Sequence, residues 1–317
     1  MEENRRILVL GASGRIGMAM ALHYAGKNAV FGVARFKNPE TERTLQAKGV
    51  KTIRKDLSEP GPGLLEGIPR DIDVVVNQAV LWKADPPEAW KRVYEVNAFA
   101  GPRILQHCLP RVKAHVFGST GGIYGGGPAP KSEEDEPKAG EGIYHCSKFA
   151  GEMCAEIAAR LLGVPTAILR YYYPSIATKG VVFAHARYAL FDVERPVHKD
   201  DTYGYVPTWI DDVVAATAKA VDVAAVPAVT INVAGSEYLT QRQMLERSAK
   251  ALGKTVRIRE REDPRDPYIA DISKMKRLLG APKITYDRML ELVIEAFRTN
   301  PPAPPPAGGT EHEGSKR

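Results

Sequence analysis

Short apolar runs alternating with helix-length amphipathic stretches limit what this chain can fold into more than any other feature. Runs at residues 7–10, 29–34, 50–54, 72–77 and 114–118 are bounded by glycine, proline or polar turns. Between them lie RIGMAMALHYAG, PETERTLQAKG and PPEAWKRVYEVNAFAGPRILQHC, all helix-compatible, the last expected to break near Gly101-Pro102. This alternation predicts an α/β fold, a doubly wound parallel sheet with helices on both faces. The unbroken apolar character of ILVL and VVV fits strands buried on both sides. A helix over 143–162 and a strand over 166–170 continue the pattern. Beyond them the alternation weakens, leaving a late strand at 229–233 and helices over 241–252 and 287–298.

Composition excludes several classes. The chain has 317 residues, 44% hydrophobic and 26% charged, which suits a soluble globular protein with a sizeable core. No run approaches the roughly 18 apolar residues of a membrane span. The N-terminus passes from charges straight into a strand, without the apolar region of a secretion signal, so a cytoplasmic protein is expected. The cysteines Cys108, Cys146 and Cys154 form no CxxC pair, and the seven histidines show no metal-ligand spacing. The net charge of +6 suits a phosphate-bearing cofactor or substrate. No Lys/Arg block with interleaved aromatics points to nucleic acid. The tail from Pro301, rich in proline, glycine and charge, is expected to be disordered.

The turn after the first apolar run reads GASGRIG, with Gly11, Gly14 and Gly17 between a strand and a helix. Glycines are needed there because the backbone must turn sharply and approach a pyrophosphate without a Cβ, while the helix offers its N-terminal amides to the phosphates. The motif therefore predicts a dinucleotide, with Ser13, Arg15 and Ile16 in the same turn. At the end of the second strand a carboxylate would grip the ribose hydroxyls of NAD, whereas cations accommodate the 2′-phosphate of NADP. The segment VFGVARFKN carries Arg35 and Lys37 and no carboxylate, so NADP is favoured over NAD. The competing view makes them solvated surface cations. Asp56, after the third strand, is placed to accept from an adenine amino group.

Hydride transfer at a carbon–oxygen centre needs an acid/base at the oxygen. A tyrosine, with an ordinary pKa near 10, needs a neighbouring cation for that work. In GIYHCSKFAGE, Tyr144 and Lys148 stand four apart on one helical face. Upstream, HVFGSTGGIYG ends a strand in Ser119 and Thr120, at the sheet edge where doubly wound folds bind ligands. Thr120, or less favourably Ser119, is expected to hold the reacting oxygen against Tyr144.

Together these motifs resemble the extended short-chain dehydrogenase/reductases, the group containing the NAD-dependent epimerase/dehydratase family. GASGRIG resembles the glycine fingerprint, Asp56-Leu57 the adenine contact, and Asn77-Gln78-Ala79 the segment after the fourth strand. Asn97 matches a helix asparagine, GSTGGIYG the hydroxyl motif and YHCSK the catalytic pair. NVAGSEYLTQRQM and DISKMKRLLG resemble closing segments, so the likeness reaches about residue 298. It implies a Rossmann-type NAD(P)-binding domain of residues 1–170 plus about 205–233. A smaller C-terminal substrate-binding part would comprise about 171–204 and 234–298, followed by a tail over 299–317. Tyr144 would be the acid/base, and Lys148 would lower its pKa and bind the nicotinamide ribose. Leu57, Gln78, Ala79 and Asn97 would line the cofactor site. A homodimer through the helix carrying Tyr144 and the preceding long helix is implied by the same likeness.

Two departures bear on substrate. Arg170-Tyr171-Tyr172-Tyr173-Pro174 lacks the asparagine and glycine of the family's Arg-x-x-Asn-x-Tyr-Gly-Pro segment. TYGYVPTWIDD lacks the arginine that commonly precedes V-x-D-D; Arg187, Arg195 and Lys199 are the candidate substitutes. Thr120 is followed by Gly121-Gly122 and not by an acidic pair, which argues against a 4,6-dehydratase. Three activities stay open. They are an epimerase of a nucleotide-linked or related sugar, an NADPH-dependent carbonyl reductase or dehydrogenase of a non-nucleotide substrate, and a non-catalytic dinucleotide sensor.

Overall fold

The computed structural model describes residues 3–133, 135–138, 142–263 and 265–305. Its first half runs β1 (Arg6–Leu10), α1 (Arg15–Tyr24), β2 (Ala29–Ala34), α2 (Pro39–Ala47), β3 (Lys51–Arg54), β4 (Val74–Asn77), α3 (Trp90–Tyr94), α4 (Ala100–His107), β5 (Ala114–Thr120), α5 (Ile143–Leu162) and β6 (Thr166–Tyr171). The second half runs β7 (Pro174–Ser175), α6 (Val181–Leu190), β8 (Arg195–His198), β9 (Gly204–Tyr205), β10 (Thr208–Trp209), α7 (Ile210–Val223), β11 (Val229–Val233), β12 (Leu239–Thr240), α8 (Gln241–Leu252), β13 (Ile258–Arg261), α9 (Ser273–Leu278) and α10 (Tyr286–Thr299).

The main sheet has the order β11-β6-β5-β4-β1-β2-β3. β1 lies between β2 and β4 and is parallel to both. From β1 the chain winds outward through β2 and β3, then returns to place β4 on the other flank. That reversal opens a crevice at the carboxyl ends of β1 and β4, where Leu10 pairs with Asn77. All four residues of β4 are buried, as expected for a strand covered on both faces.

The described residues fall into two compact units. Unit 1 comprises Met1–Ile123, Pro137–Arg170 and Val214–Ile231, and unit 2 comprises Tyr124–Glu136, Tyr171–Val213 and Asn232–Arg317. Unit 1 buries Leu8, Leu10, Val33, Val75, Ile104 and Leu105 in one apolar cluster. Each such side chain contributes about 1.5–3 kcal/mol by leaving water. Unit 2 packs Val182 and Ala186 of α6 with Met244 of α8 and Met289, Leu290 and Val293 of α10. α8 starts at a capping box in which the Thr240 side chain accepts from the Gln243 amide and the Gln243 side chain accepts from the Thr240 amide.

The long helix is not broken at Gly101-Pro102. It widens earlier, through a π turn at Glu95–Phe99. Pro102 follows directly on that π turn, where the helical hydrogen-bond ladder is already interrupted, so its missing N–H forces no break. Residues 306–317 of the tail lie outside those described.

Close approach of α5 to the π turn depends on Gly151. A Cβ there would stand 2.2 Å from the Asn97 carbonyl oxygen and 2.6 Å from the Phe117 ring. Gly151→Ala should therefore cost about 1–3 kcal/mol through overpacking. Gly63→Ala, at a position with nothing within 4 Å, should stay within about 0.5 kcal/mol of wild type. Paired urea unfolding curves check the contrast.

Candidate active site

The glycine loop follows β1 into the crevice, and its glycines are required for different reasons. Gly11 has φ +74°, and a Cβ on it would come 2.7 Å from the Ala79 backbone and the Gln78 carbonyl. At Gly17 a Cβ would stand 2.2 Å from the Gly11 carbonyl oxygen. Gly14 begins α1 with no side-chain cap and no acidic residue in the first turn. The helix therefore keeps its N-terminal amides and positive dipole end available to an anion. This turn suits a dinucleotide pyrophosphate: a side chain at Gly11 or Gly17 would strike neighbouring backbone and force the loop out of its tight path. Ser13 is exposed, and Arg15 and Ile16 are partly exposed beside it. Burial lowers the Arg15 guanidinium from its ordinary value.

At the end of β2 the buried Phe36, at φ +46°, leaves Arg35 and Lys37 exposed on either side. Asp56 is more heavily engaged than the sequence suggests. One carboxylate oxygen accepts from the amide and hydroxyl of Ser58, at 3.0 and 2.7 Å, and the other from Arg92 at 3.1 Å. Burial works to raise the Asp56 pKa, but the Ser58 bonds and the charges of Arg35 and Arg92 outweigh it and hold the carboxyl low. Arg92, from α3, was not legible as a member of this group. Leu57 is buried.

Tyr144 lies in the first turn of α5, hydrogen-bonded to Thr120 at the end of β5. The Thr120 hydroxyl oxygen also accepts from the Gly122 amide at 3.1 Å. Burial raises Tyr144 well above the ordinary phenol value, and the Thr120 bond opposes this. Ser119 is buried, with its hydroxyl lacking a hydrogen-bond partner.

One turn after Tyr144, Lys148 is 2% exposed, its ammonium 4.3 Å from the centre of the Phe117 ring. Desolvation brings it down to about 7, and the Glu152 carboxylate pulls the other way. Glu152 is itself buried, and Arg170 of β6 donates to it at 2.7 and 3.0 Å.

Asn97, in the π turn, has its side-chain amide engaged within the protein. It donates to the Leu81 carbonyl at 2.9 Å and to Ser147 at 2.8 Å, and accepts from the Leu81 amide at 2.8 Å. Ser147 donates to the Tyr144 carbonyl at 2.9 Å. The asparagine thus ties the segment after β4 to the helix bearing Tyr144. Gln78 lies against β5: a Cβ on Gly118 would come 2.3 Å from its side-chain oxygen. His145 is also closer to the site than helix geometry alone suggests. Its ring is 5.1 Å from that of Tyr144, in space left by Gly122.

Unit 2 carries its own cavity, lined by Arg195, Arg261, Arg265, His198, Tyr203 and Tyr205 among others. Arg195 lies 4.0 Å above the Tyr188 ring and Arg265 4.3 Å above that of Tyr203. Of the cations expected from sequence, Arg195 lines this cavity. Arg187 lies over Phe183 at 5.6 Å, and Lys199 pairs with Glu262 at 3.3 Å. Trp209 belongs to the unit 2 core. No metal-binding group of His, Cys, Asp and Glu occurs among the described residues.

The chain resembles the Bacillus cereus UDP-glucuronic acid 4-epimerase solved with UDP-glucuronic acid and NAD. Identity is 23%, coverage 93% of this chain and 99% of that one, and the TM-score 0.78. A dTDP-glucose 4,6-dehydratase from Bacillus anthracis, solved with NAD, is similar at 21% identity, 93% and 97% coverage and TM-score 0.77. The ADP-L-glycero-D-manno-heptose-6-epimerase of Helicobacter pylori is similar at 19% identity, 93% and 97% coverage and TM-score 0.76. At such identities the likeness shows a shared fold. No curated protein sequence matches the chain. The model of the NAD-dependent epimerase/dehydratase family matches residues 7–175, from β1 through the glycine loop, Thr120, Tyr144 and Lys148 to β7. With more than half its length so matched, the chain belongs to the NAD-dependent epimerase/dehydratase family.

Proposed function

We propose that this protein is an NADP-dependent epimerase of a nucleotide-linked sugar. The observation that carries the reading is Tyr144 hydrogen-bonded to Thr120, with Lys148 one turn away on the same helix. A bound nicotinamide dinucleotide supplies the acceptor and donor of hydride. Tyr144 takes the proton as a secondary carbinol becomes a ketone, and returns it after the ketone has turned its other face. No net oxidation results. Thr120 holds the reacting oxygen. Lys148, when charged, stabilises the tyrosinate, and Glu152 favours that charge against desolvation. The glycine loop would hold the pyrophosphate and Arg35 and Lys37 the 2′-phosphate. The arginines of the unit 2 cavity, taken by themselves, suit a phosphate-bearing group.

A second reading, net reduction of a carbonyl substrate by NADPH, is favoured by the exposed Arg35 and Lys37 and the lack of a carboxylate there. A cofactor that leaves after each turnover would mark it. For assembly, α5 leaves Met153, Ile157 and Leu161 exposed at 57, 52 and 77%, four residues apart along one face. We infer that this stripe is the homodimer contact, since a run of large apolar side chains in water marks an interface. No described helix is long and apolar enough to cross a membrane. A cytoplasmic setting would keep the free thiols of Cys108, Cys146 and Cys154 reduced.

Three outcomes are expected. Tyr144→Phe should lower turnover by about 10²–10⁴-fold, the contribution of a positioned acid/base, while equilibrium dialysis shows dinucleotide still bound. Arg35→Ala and Lys37→Ala should each weaken NADPH binding by about tenfold or more, since a charge-assisted hydrogen bond contributes about 1.5–3 kcal/mol. NADH binding, followed by the same fluorescence titration, should not change. Ile157→Asp with Leu161→Glu should convert a dimer to a monomer in light scattering at micromolar concentration. An unchanged mass would rule out the α5 contact.

A further inference from the structure

The charges at the carboxyl ends of β2 and β3 govern which dinucleotide that corner of unit 1 receives. The two strands are parallel, with Ala34 beside Arg54, and the Lys55 amide donates to the Ala34 carbonyl at 3.0 Å. Arg35 therefore leaves β2 beside the strand end that leads to Asp56, and its charge reaches that carboxylate. A ribose 2′-phosphate would bring negative charge to this corner, and a bare carboxylate would oppose it. The compensating cation comes from another segment. Arg92 of α3 donates to one Asp56 oxygen at 3.1 Å and to the Ser58 hydroxyl at 3.0 Å. That hydroxyl donates to the other Asp56 oxygen at 2.7 Å. The three side chains thus close a ring of hydrogen bonds, with the buried Ser58 within it. Lys55, nearer in sequence, is engaged elsewhere: its ammonium donates to the Gly63 carbonyl at 2.7 Å and lies 3.9 Å from Glu66.

We propose that Arg92 is a positioning residue for dinucleotide choice: by neutralising Asp56 it lets Arg35 and Lys37 receive a 2′-phosphate unopposed. This rests on the reading of Arg35 and Lys37 as the NADP determinants. Arginine suits the task because its planar fork reaches Asp56 and Ser58 at once and keeps its charge at any working pH. Asp56 itself accepts from the Ser58 amide, the Ser58 hydroxyl and Arg92. A carboxylate has about four acceptor positions, so one is left for an adenine amino group, which NADP and NAD share. The effect of Arg92 is thereby confined to the phosphate by which the two cofactors differ. Loss of Arg92 would not protonate Asp56, because the two Ser58 bonds still favour its ionised form. The negative charge would stay at the corner without its partner.

The test compares the binding of NADPH and NADH to the full-length protein, each followed by fluorescence titration. Wild type should bind NADPH the more tightly. Arg92→Gln should lower the NADPH-to-NADH affinity ratio about three- to fivefold, the scale of a partly exposed ion pair, with NADH affinity held within about twofold. Arg92→Lys, which keeps the charge, should recover most of the loss. Adding Asp56→Asn to Arg92→Gln should restore the ratio, since no carboxylate then opposes the phosphate; a purely structural role for Arg92 would not be rescued in this way. Asp56→Asn alone should keep or raise the ratio. An unchanged ratio in Arg92→Gln, a loss shared equally by both dinucleotides, or no recovery in the double variant overturns the inference and leaves Arg35 and Lys37 as the NADP determinants. A fall in the ratio on Asp56→Asn alone overturns it as well. A wild type that binds NADH as tightly as NADPH overturns the NADP reading and the inference with it.

Discussion

Lys148 is buried within unit 1, and much of the surrounding structure is arranged around that side chain. Burial of an ammonium is costly unless it is compensated. Here the Phe117 ring stands beneath it, and Glu152, one turn on, supplies the opposing charge. Glu152 would be equally costly alone, and Arg170 of β6 satisfies it. The chain of charges thus ties α5 to the sheet. Small residues allow the necessary approach, since any side chain at Gly151 would strike the π turn and Phe117. Housing that lysine constrains how the rest of the helix packs.

The second constraint is steric and lies at the reversal of strand order. β1 and β4 end side by side, so the loops leaving them must share one small space. A Cβ on Gly11 would stand 2.7 Å from the Ala79 backbone, so a glycine is what lets the two loops pack this closely. The segment that presses on it continues to Leu81, which Asn97 fixes, and so to Trp82 over Tyr144. The glycine loop and Tyr144 therefore meet the two ends of one short, hydrogen-bonded stretch of chain.

How much of this could be read in the sequence follows from the range of each interaction. The sheet strands and their helices left a periodic apolar signal, and Tyr144–Lys148 is an i, i+4 pair with a fixed meaning on a helix. The glycine spacing was legible although its steric cause is only partly local: Gly17 is fixed by Gly11, but Gly11 by Gln78 and Ala79. Asp56 with Arg92, Asn97 with Leu81, and Trp82 on Tyr144 join residues 16 to 62 positions apart, so no spacing encodes them. Asn97 was expected in the cofactor site; its amide bonds the Leu81 backbone and Ser147. β7, β9, β10 and β12 have two residues each, too few to establish an alternation. That is why the pattern faded after residue 170. The widened turn at Glu95–Phe99 escaped notice because Gly101-Pro102, just beyond it, carries the stronger local signal.

The central claim is that Tyr144, Thr120 and Lys148 carry out a hydride transfer whose two halves cancel. One experiment addresses it directly: the protein with NADP and a nucleotide sugar, the inverted stereocentre followed by proton NMR while absorbance at about 340 nm, the nicotinamide band, is recorded. The account predicts that the epimer accumulates to equilibrium with no lasting change in absorbance. Stoichiometric consumption or formation of NADPH, with no inversion at any carbon, would contradict it and make the protein a net oxidoreductase.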